Sequence, residues 1–182
     1  ICLGLLATGS AAAQTFTNAS LSGKYHFVDL LVTAWAGAAV DARNLSGAIT
    51  FSGDGSYTFT GKLGAGSSAP AASSGSGTYS VSGSGSVTIS DPIQSTLQVN
   101  ARLTADGSVV VGAATESADN VYSILVALKA PPAGITNAVL NGAYTGATVE
   151  FPGGSSTAVK SAVMGLAANG RGQFASVRIL GH

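Results

Sequence analysis

The feature that most constrains this chain is a two-residue hydrophobic period interrupted at short intervals by glycine. Ala48-Ile49-Thr50-Phe51 alternates apolar and polar, Ser52-Gly53-Asp54-Gly55 turns the chain, and Tyr57-Thr58-Phe59 returns it. Successive side chains of a strand point to opposite faces, so the pattern describes a hairpin buried on one side. Thr78-Tyr79-Ser80-Val81 and Val87-Thr88-Ile89 flank Ser82-Gly83-Ser84-Gly85 in the same manner. Residues 97–103 run into Ala105-Asp106-Gly107, and Val109-Val110-Val111 returns. Residues 121–128 add an apolar run that ends before Pro131-Pro132. The Asp-Gly and Gly-x-Gly steps supply the positive φ angles that tight hairpins require.

Two stretches depart from the pattern. Residues 30–35 extend the first strand, whereas residues 36–42 are compatible with a helical turn. Residues 64–77, rich in glycine and serine, have the composition of a disordered low-complexity segment.

An all-β fold follows, built as an antiparallel up-and-down meander. About eight short strands with tight connections match the number used by a small closed barrel. An open meander would leave two exposed edges, and with only 9% charged residues few side chains can guard them. Closure into a barrel removes the edges, and a two-sheet sandwich is the alternative. The barrel is favoured because the hairpins succeed one another without long crossings. An outer-membrane barrel shares this topology, but the strands read as shorter than ten residues and aromatics make up 7%.

The ends of the chain resemble each other. Thr17-Asn18-Ala19-Ser20-Leu21-Ser22-Gly23-Lys24-Tyr25 echoes Thr136-Asn137-Ala138-Val139-Leu140-Asn141-Gly142-Ala143-Tyr144, and Gly53-Asp54-Gly55-Ser56-Tyr57 echoes Gly170-Arg171-Gly172-Gln173-Phe174. The near-constant register describes a repeat of about 120 residues. The expected organisation is a signal-peptide remnant at 1–13, a β-domain at 14–132 and a truncated second repeat at 133–182. The first segment ends an apolar run with Ala11-Ala12-Ala13 before Gln14, which fits a small-residue cleavage site and hence export. Cys2 is the single cysteine and falls inside that segment, where a lipoprotein acceptor role is the alternative. The mature part would then hold no disulfide.

Few side chains offer chemistry. Eight acidic and eight basic residues cancel, which argues against a nucleic-acid surface. Asp54 and Asp106 precede glycine in turns, where Asp bonds its own backbone. Glu116, Asp119 and Asn120 cluster in one loop as a weak polar or cation candidate, without the spacing of a calcium loop. Asp29, Asp41 and Glu150 are the carboxylates from which a glycosidase-type pair would come. His26 lies between Tyr25 and Phe27 and alternates to the opposite face; without a second internal histidine or a mature cysteine, no zinc site is expected. Gly170-x-Gly172-x-x-Ala175 formally fits a dinucleotide fingerprint, but a strand follows where a helix is required. No G-x-S-x-G elbow occurs. No catalytic residue, metal or cofactor is assigned, and no transmembrane helix is expected.

The segment Leu21-Ser22-Gly23-Lys24-Tyr25-His26-Phe27, the hairpin over residues 49–59, and Val149-Glu150-Phe151-Pro152-Gly153-Gly154 resemble uncharacterised secreted β-repeat proteins of environmental bacteria. That resemblance implies secretion and a β-architecture, and transfers no catalytic residue.

Three functional readings follow. The first is a non-catalytic exported surface or extracellular module for adhesion, matrix formation or spacing, whose partners are other surface components. The second is a barrel that binds a small apolar ligand, lined by Phe27, Phe51 and Phe59. The third is a carbohydrate-binding or carbohydrate-active domain, with Tyr25, Phe27, Tyr57, Phe59 and Tyr79 as a stacking platform or two carboxylates in a cleft.

Overall fold

The structure, a computed structural model, describes residues 15–36, 38–66, 68–115, 120–132, 134–152 and 158–181. Eight strands come first: β1 (Ser22–Trp35), β2 (Ala38–Ser52), β3 (Ser56–Ala65), β4 (Ala71–Val81), β5 (Ser86–Ser90), β6 (Gln98–Leu103), β7 (Val109–Ala114) and β8 (Val121–Lys129). Each pairs antiparallel with the next, and β8 returns to β1 from Tyr25↔Lys129 to Thr33↔Val121. The meander therefore closes on itself as a barrel and does not split into a sandwich. Closure gives every strand two neighbours, which solves the edge problem that the low charge poses.

The barrel is filled along its axis by the inward half of each alternation. Phe51 packs edge-on against Tyr25, Tyr57 and Tyr79, with ring centroids 5.3, 6.0 and 5.1 Å apart. Phe27 meets Phe59 at 6.2 Å. Ile49, Val87, Ile89, Val99, Val110 and Leu125 complete the buried cluster around these rings. At one end the 3₁₀ turn Asn18–Ser20 caps the core. There the Tyr79 hydroxyl donates to the Leu21 carbonyl at 2.7 Å and accepts from the Gly53 amide at 2.8 Å.

Three expectations need correction. Residues 71–77 are not disordered but form the first half of β4, because aromatic rings supply what glycine lacks. Phe59 pairs with Gly75 and Tyr57 with Gly77, and each ring lies over its glycine so closely that a Cβ there would overlap it. Residues 38–42 belong to β2 rather than a helical turn, since β1 continues far enough to pair with them. The strands of the tall side are also longer than expected: β1 to β4 hold 14, 15, 10 and 11 residues, against 5 and 6 in β5 and β6. Glycine and alanine within these strands had masked their length.

A second, three-stranded sheet follows, made of β9 (Asn141–Glu150), β10 (Lys160–Asn169) and β11 (Phe174–Gly181) in the order β11-β10-β9. Leu166 pairs with both Tyr144 and Val177, and Met164 with Gly146 and Ile179, so one face is apolar. Phe174, Val177 and Ile179 on that face are 52%, 59% and 67% exposed, so the face is not buried against the barrel.

Local geometry recurs between the two sheets. The 3₁₀ turn Asn137–Val139 precedes β9 as Asn18–Ser20 precedes β1, and the Leu140 and Leu21 amides each donate to the asparagine carbonyl at 3.1 Å. Gly55 and Gly172 both have positive φ, and a Cβ on either would meet the amide nitrogen of Asn18 or Asn137, at 3.0 and 2.7 Å.

Candidate functional site

The alternation that buries Tyr25, Phe27 and Leu31 also turns Asp29 into the barrel, where it is fully buried between the flanking residues Leu45 and Leu125. An isolated carboxylate in such a place would be very costly, so it must be partnered or neutral. Two partners are present. Ser123 on β8 donates its hydroxyl to Asp29 Oδ1 at 2.8 Å. The second is Asp91, which follows β5 directly and is 1% exposed.

Asp91-Pro92 starts the β5–β6 loop, residues 91–97. Asp91 Oδ1 accepts the amides of Ile93 at 2.8 Å and Gln94 at 2.9 Å, an Asx turn that folds the loop over the barrel end. The Asp91 amide donates to the Leu97 carbonyl at 2.9 Å, and Ile93 and Leu97 pack against the core. With both Oδ1 atoms engaged, the Oδ2 atoms of Asp29 and Asp91 are buried and meet no donor group among the described residues. Both Oδ2 atoms are thus without a partner while Asp91 acts on Asp29 through its charge, so a proton on one carboxyl would let it donate to the other.

Burial chiefly, then the negative charge of Asp91, pushes the Asp29 carboxyl up to about 8, against the opposing effect of the Ser123 hydrogen bond. Tyr57 stands beside the pair and donates its hydroxyl to the Ser90 carbonyl at 2.6 Å. Burial raises its pKa, and the charges of Asp91 and Asp29 add to the effect. Ser90 Oγ donates to the Thr78 carbonyl at 3.1 Å and accepts the Thr78 amide at 2.9 Å. Glycine at position 77 makes room for this group: a Cβ there would lie 2.4 Å from both the Ser90 and Tyr57 hydroxyl oxygens. The arrangement can hold a proton. Beneath the closed loop, its carboxyl groups have no surface on which to meet a substrate.

The carboxylates singled out from the sequence are not assembled. Asp29 pairs with Leu45 and Thr33 with Asp41, which separates the two aspartates by about 13 Å at 3.3 Å per residue. Asp41 instead makes an exposed ion pair with Arg43 at 2.7 Å. Glu150 lies on β9, in a cleft of about 320 Å³ lined also by Leu30, Arg43, Asn44 and Phe151. Asp91 was not singled out, although the Asp-Pro step after an alternating strand is a turn signal.

The remaining candidates fall into place individually. Phe27, Phe51 and Phe59 all point inward, where they pack on one another and on tyrosine rings. All five proposed platform aromatics are buried and so form no exposed platform, because each pair in a strand has the same parity. His26 is exposed, on the face opposite its neighbours. Asn120 is exposed with φ +56°, and its carbonyl accepts the Ala34 amide at 2.8 Å. Glu116 and Asp119 lie outside the described residues. Among the described residues no group of three or more acidic, histidine or cysteine side chains gathers as a metal site would need. Asp106 Oδ1 accepts the Thr104 hydroxyl, the Ser108 hydroxyl and the Ser108 amide at 2.6, 2.8 and 3.0 Å, which lowers its pKa to about 2. Asp54 is lowered by the same serine-and-amide arrangement.

The outer surface is two-sided. Strands β2 to β6 present Ser, Thr, Asn, Lys and Arg outward, among them Ser46, Thr58, Lys62, Ser76 and Arg102. Strands β7, β8 and β1 present apolar rows instead. Val111, Val126 and Val28 are in register, as are Ala113, Ile124 and Leu30. Val28 and Ile124 are more than half exposed. Compared with known proteins, the chain matches no family model, no curated protein and no solved structure.

Proposed function

We propose that this chain is an exported, non-catalytic β-barrel module of a tandem array, serving adhesion, matrix formation or spacing, with its contacts made by its outer surface. The observation that carries this reading is the occupation of the barrel interior by its own rings. Tyr25, Phe27, Phe51, Tyr57, Phe59 and Tyr79 spend their inward faces on one another. Eight strands give an interior just wide enough for side chains to fill.

The tandem arrangement is supported by the recurrence of the asparagine turn, the positive-φ glycines and the strand order in β9 to β11. Export is supported by the apolar and small-residue sequence of 1–13, which lies outside the described residues. No helix among the described residues is long and apolar enough to cross a membrane. A lipid-facing barrel is disfavoured by outward chemistry rather than strand length, because β2 to β6 carry no apolar belt. An active site of the two-carboxylate type is disfavoured by the distance between Asp29 and Asp41 and by the burial of Asp29 and Asp91.

The test is a titration of the full chain with a fluorescent fatty acid and, separately, with insoluble and soluble polysaccharides. No saturable one-to-one uptake of the fatty acid is expected. Saturable uptake that falls when Phe59 is changed to Trp would replace this reading with interior ligand binding. Turnover of a polysaccharide abolished by Asp29→Asn would replace it with catalysis.

A further inference from the structure

We propose that Asp29 and Asp91 share a single proton, and that this proton latches the β5–β6 loop across the end of the barrel. The loop hangs from β5 at one side and feeds β6 at the other, both short strands on the low side of the barrel. Its backbone bonds close within itself: the Asp91 amide to Leu97, the Leu97 amide to Gln94, and the Ile93 and Gln94 amides to Asp91 Oδ1. Toward β1 the loop offers the buried carboxyl of Asp91, whose Oδ2, like that of Asp29, has no hydrogen-bond partner among the described residues, and Asp29 is in turn tied to β8 through Ser123.

The chemistry of that contact depends on protonation. With one proton, a carboxyl donates to a carboxylate and both Oδ2 atoms are satisfied. Without it, two like charges face each other in an apolar site and repel. Among the described residues no cation acts on Asp29 to relieve them. From β3 the facing titratable group is Tyr57, from the loop it is Asp91, and β8 offers the neutral Ser123. Further along β2, Arg43 and Asp41 neutralise each other at the surface. A hard metal ion is a poor substitute for the proton, since it wants six or more oxygens and the Oδ1 atoms are already engaged.

Loss of the proton therefore releases the loop locally. Ile93 and Leu97 lift with it and uncover the barrel end. The barrel wall, held by its own ladders, stays closed.

Amide hydrogen exchange of the full chain, followed by NMR from roughly pH 6 to pH 10 and corrected for base catalysis, tests this. Protection of the Ile93, Gln94 and Leu97 amides is expected to fall about tenfold per pH unit above a midpoint near 8, while Val99 and Leu125 are unaffected. In Asp29→Asn the amide group donates permanently to Asp91, and the loop stays protected at every pH. Loop protection that is independent of pH in the native chain, or that falls equally in Asp29→Asn, overturns the latch. Carboxyl ¹³C shifts of the native chain give a second reading that needs no variant. One aspartate titrating near 8 supports the shared proton. Two buried aspartates both titrating in the ordinary range of about 4 would overturn it.

Discussion

Replacing Asp29 with asparagine should change stability least near pH 4 and increasingly favour the variant as pH rises toward 8. In the folded chain Asp29 keeps its proton up to about 8, whereas its ordinary value is 3.8. Below 3.8 both states are protonated, and the contribution of the buried carboxyl is fully present. Between the two values only the folded state holds the proton, so stability falls as pH rises, by about 1.4 kcal/mol per pH unit for one proton. Over the whole window the loss would be on the order of 5 kcal/mol, comparable with the entire stability of a marginal domain. Local release of the β5–β6 loop would cap that loss before the barrel unfolds. Urea unfolding at fixed temperature, repeated at half-unit pH steps from about 4 to 9, reads the slope. Asp29→Asn should flatten it, because the asparagine amide imitates the protonated carboxyl toward both Ser123 and Asp91. A native chain whose stability is flat or rising with pH across this window, or a variant with the same slope, would refute the shared-proton geometry.

Other consequences follow from single contacts. Asp54 and Asp106 have lowered pKa values and so favour the folded state above about 3.8; that contribution is lost as pH falls, for Asp106 toward about 2. Taken with Asp29, maximum stability should lie near pH 4, which the same urea series extended to acid would show. Gly47→Ala places a Cβ 2.2 Å from the Thr60 carbonyl oxygen and 2.5 Å from Gly61 Cα; about 1–3 kcal/mol should be lost on thermal unfolding. Asn18→Ala removes the acceptor of the Val81 amide at 2.7 Å and the donor to the Asp54 carbonyl, at an expected cost of about 1–3 kcal/mol by denaturant titration.

Much of this fold could be read along the chain because local signals agree with closure. Gly53, Gly55, Gly107 and Gly85 all adopt the positive φ that their turn positions announced. Tyr25, Phe27, Tyr57 and Phe59 face inward as period two requires. The lower half of β4 escaped, because its glycines and serines have little strand preference of their own and gain it from Phe59 and Tyr57 across the ladder. The residues 38–42 escaped because alanine favours helix over strand, and pairing with β1 overrides that preference. Asp29 was recognised as a carboxylate but not as an inward one, although it shares the parity of Tyr25, Phe27 and Leu31. Its partner Asp91 is 62 residues away in the chain, a juxtaposition that only barrel closure creates.

The interior itself can be probed most directly with xenon, which enters dry apolar cavities and leaves packed cores alone. NMR shift changes under xenon pressure should be absent at Phe27, Phe51, Phe59 and their neighbours in the native chain. In Phe51→Ala, which removes the ring shared by Tyr25, Tyr57 and Tyr79 and should cost about 3–5 kcal/mol, a saturable xenon site should open among those three tyrosines. Saturable xenon binding inside the native barrel would instead mean an open cavity, and interior ligand binding would then displace the filled module as the function of this fold.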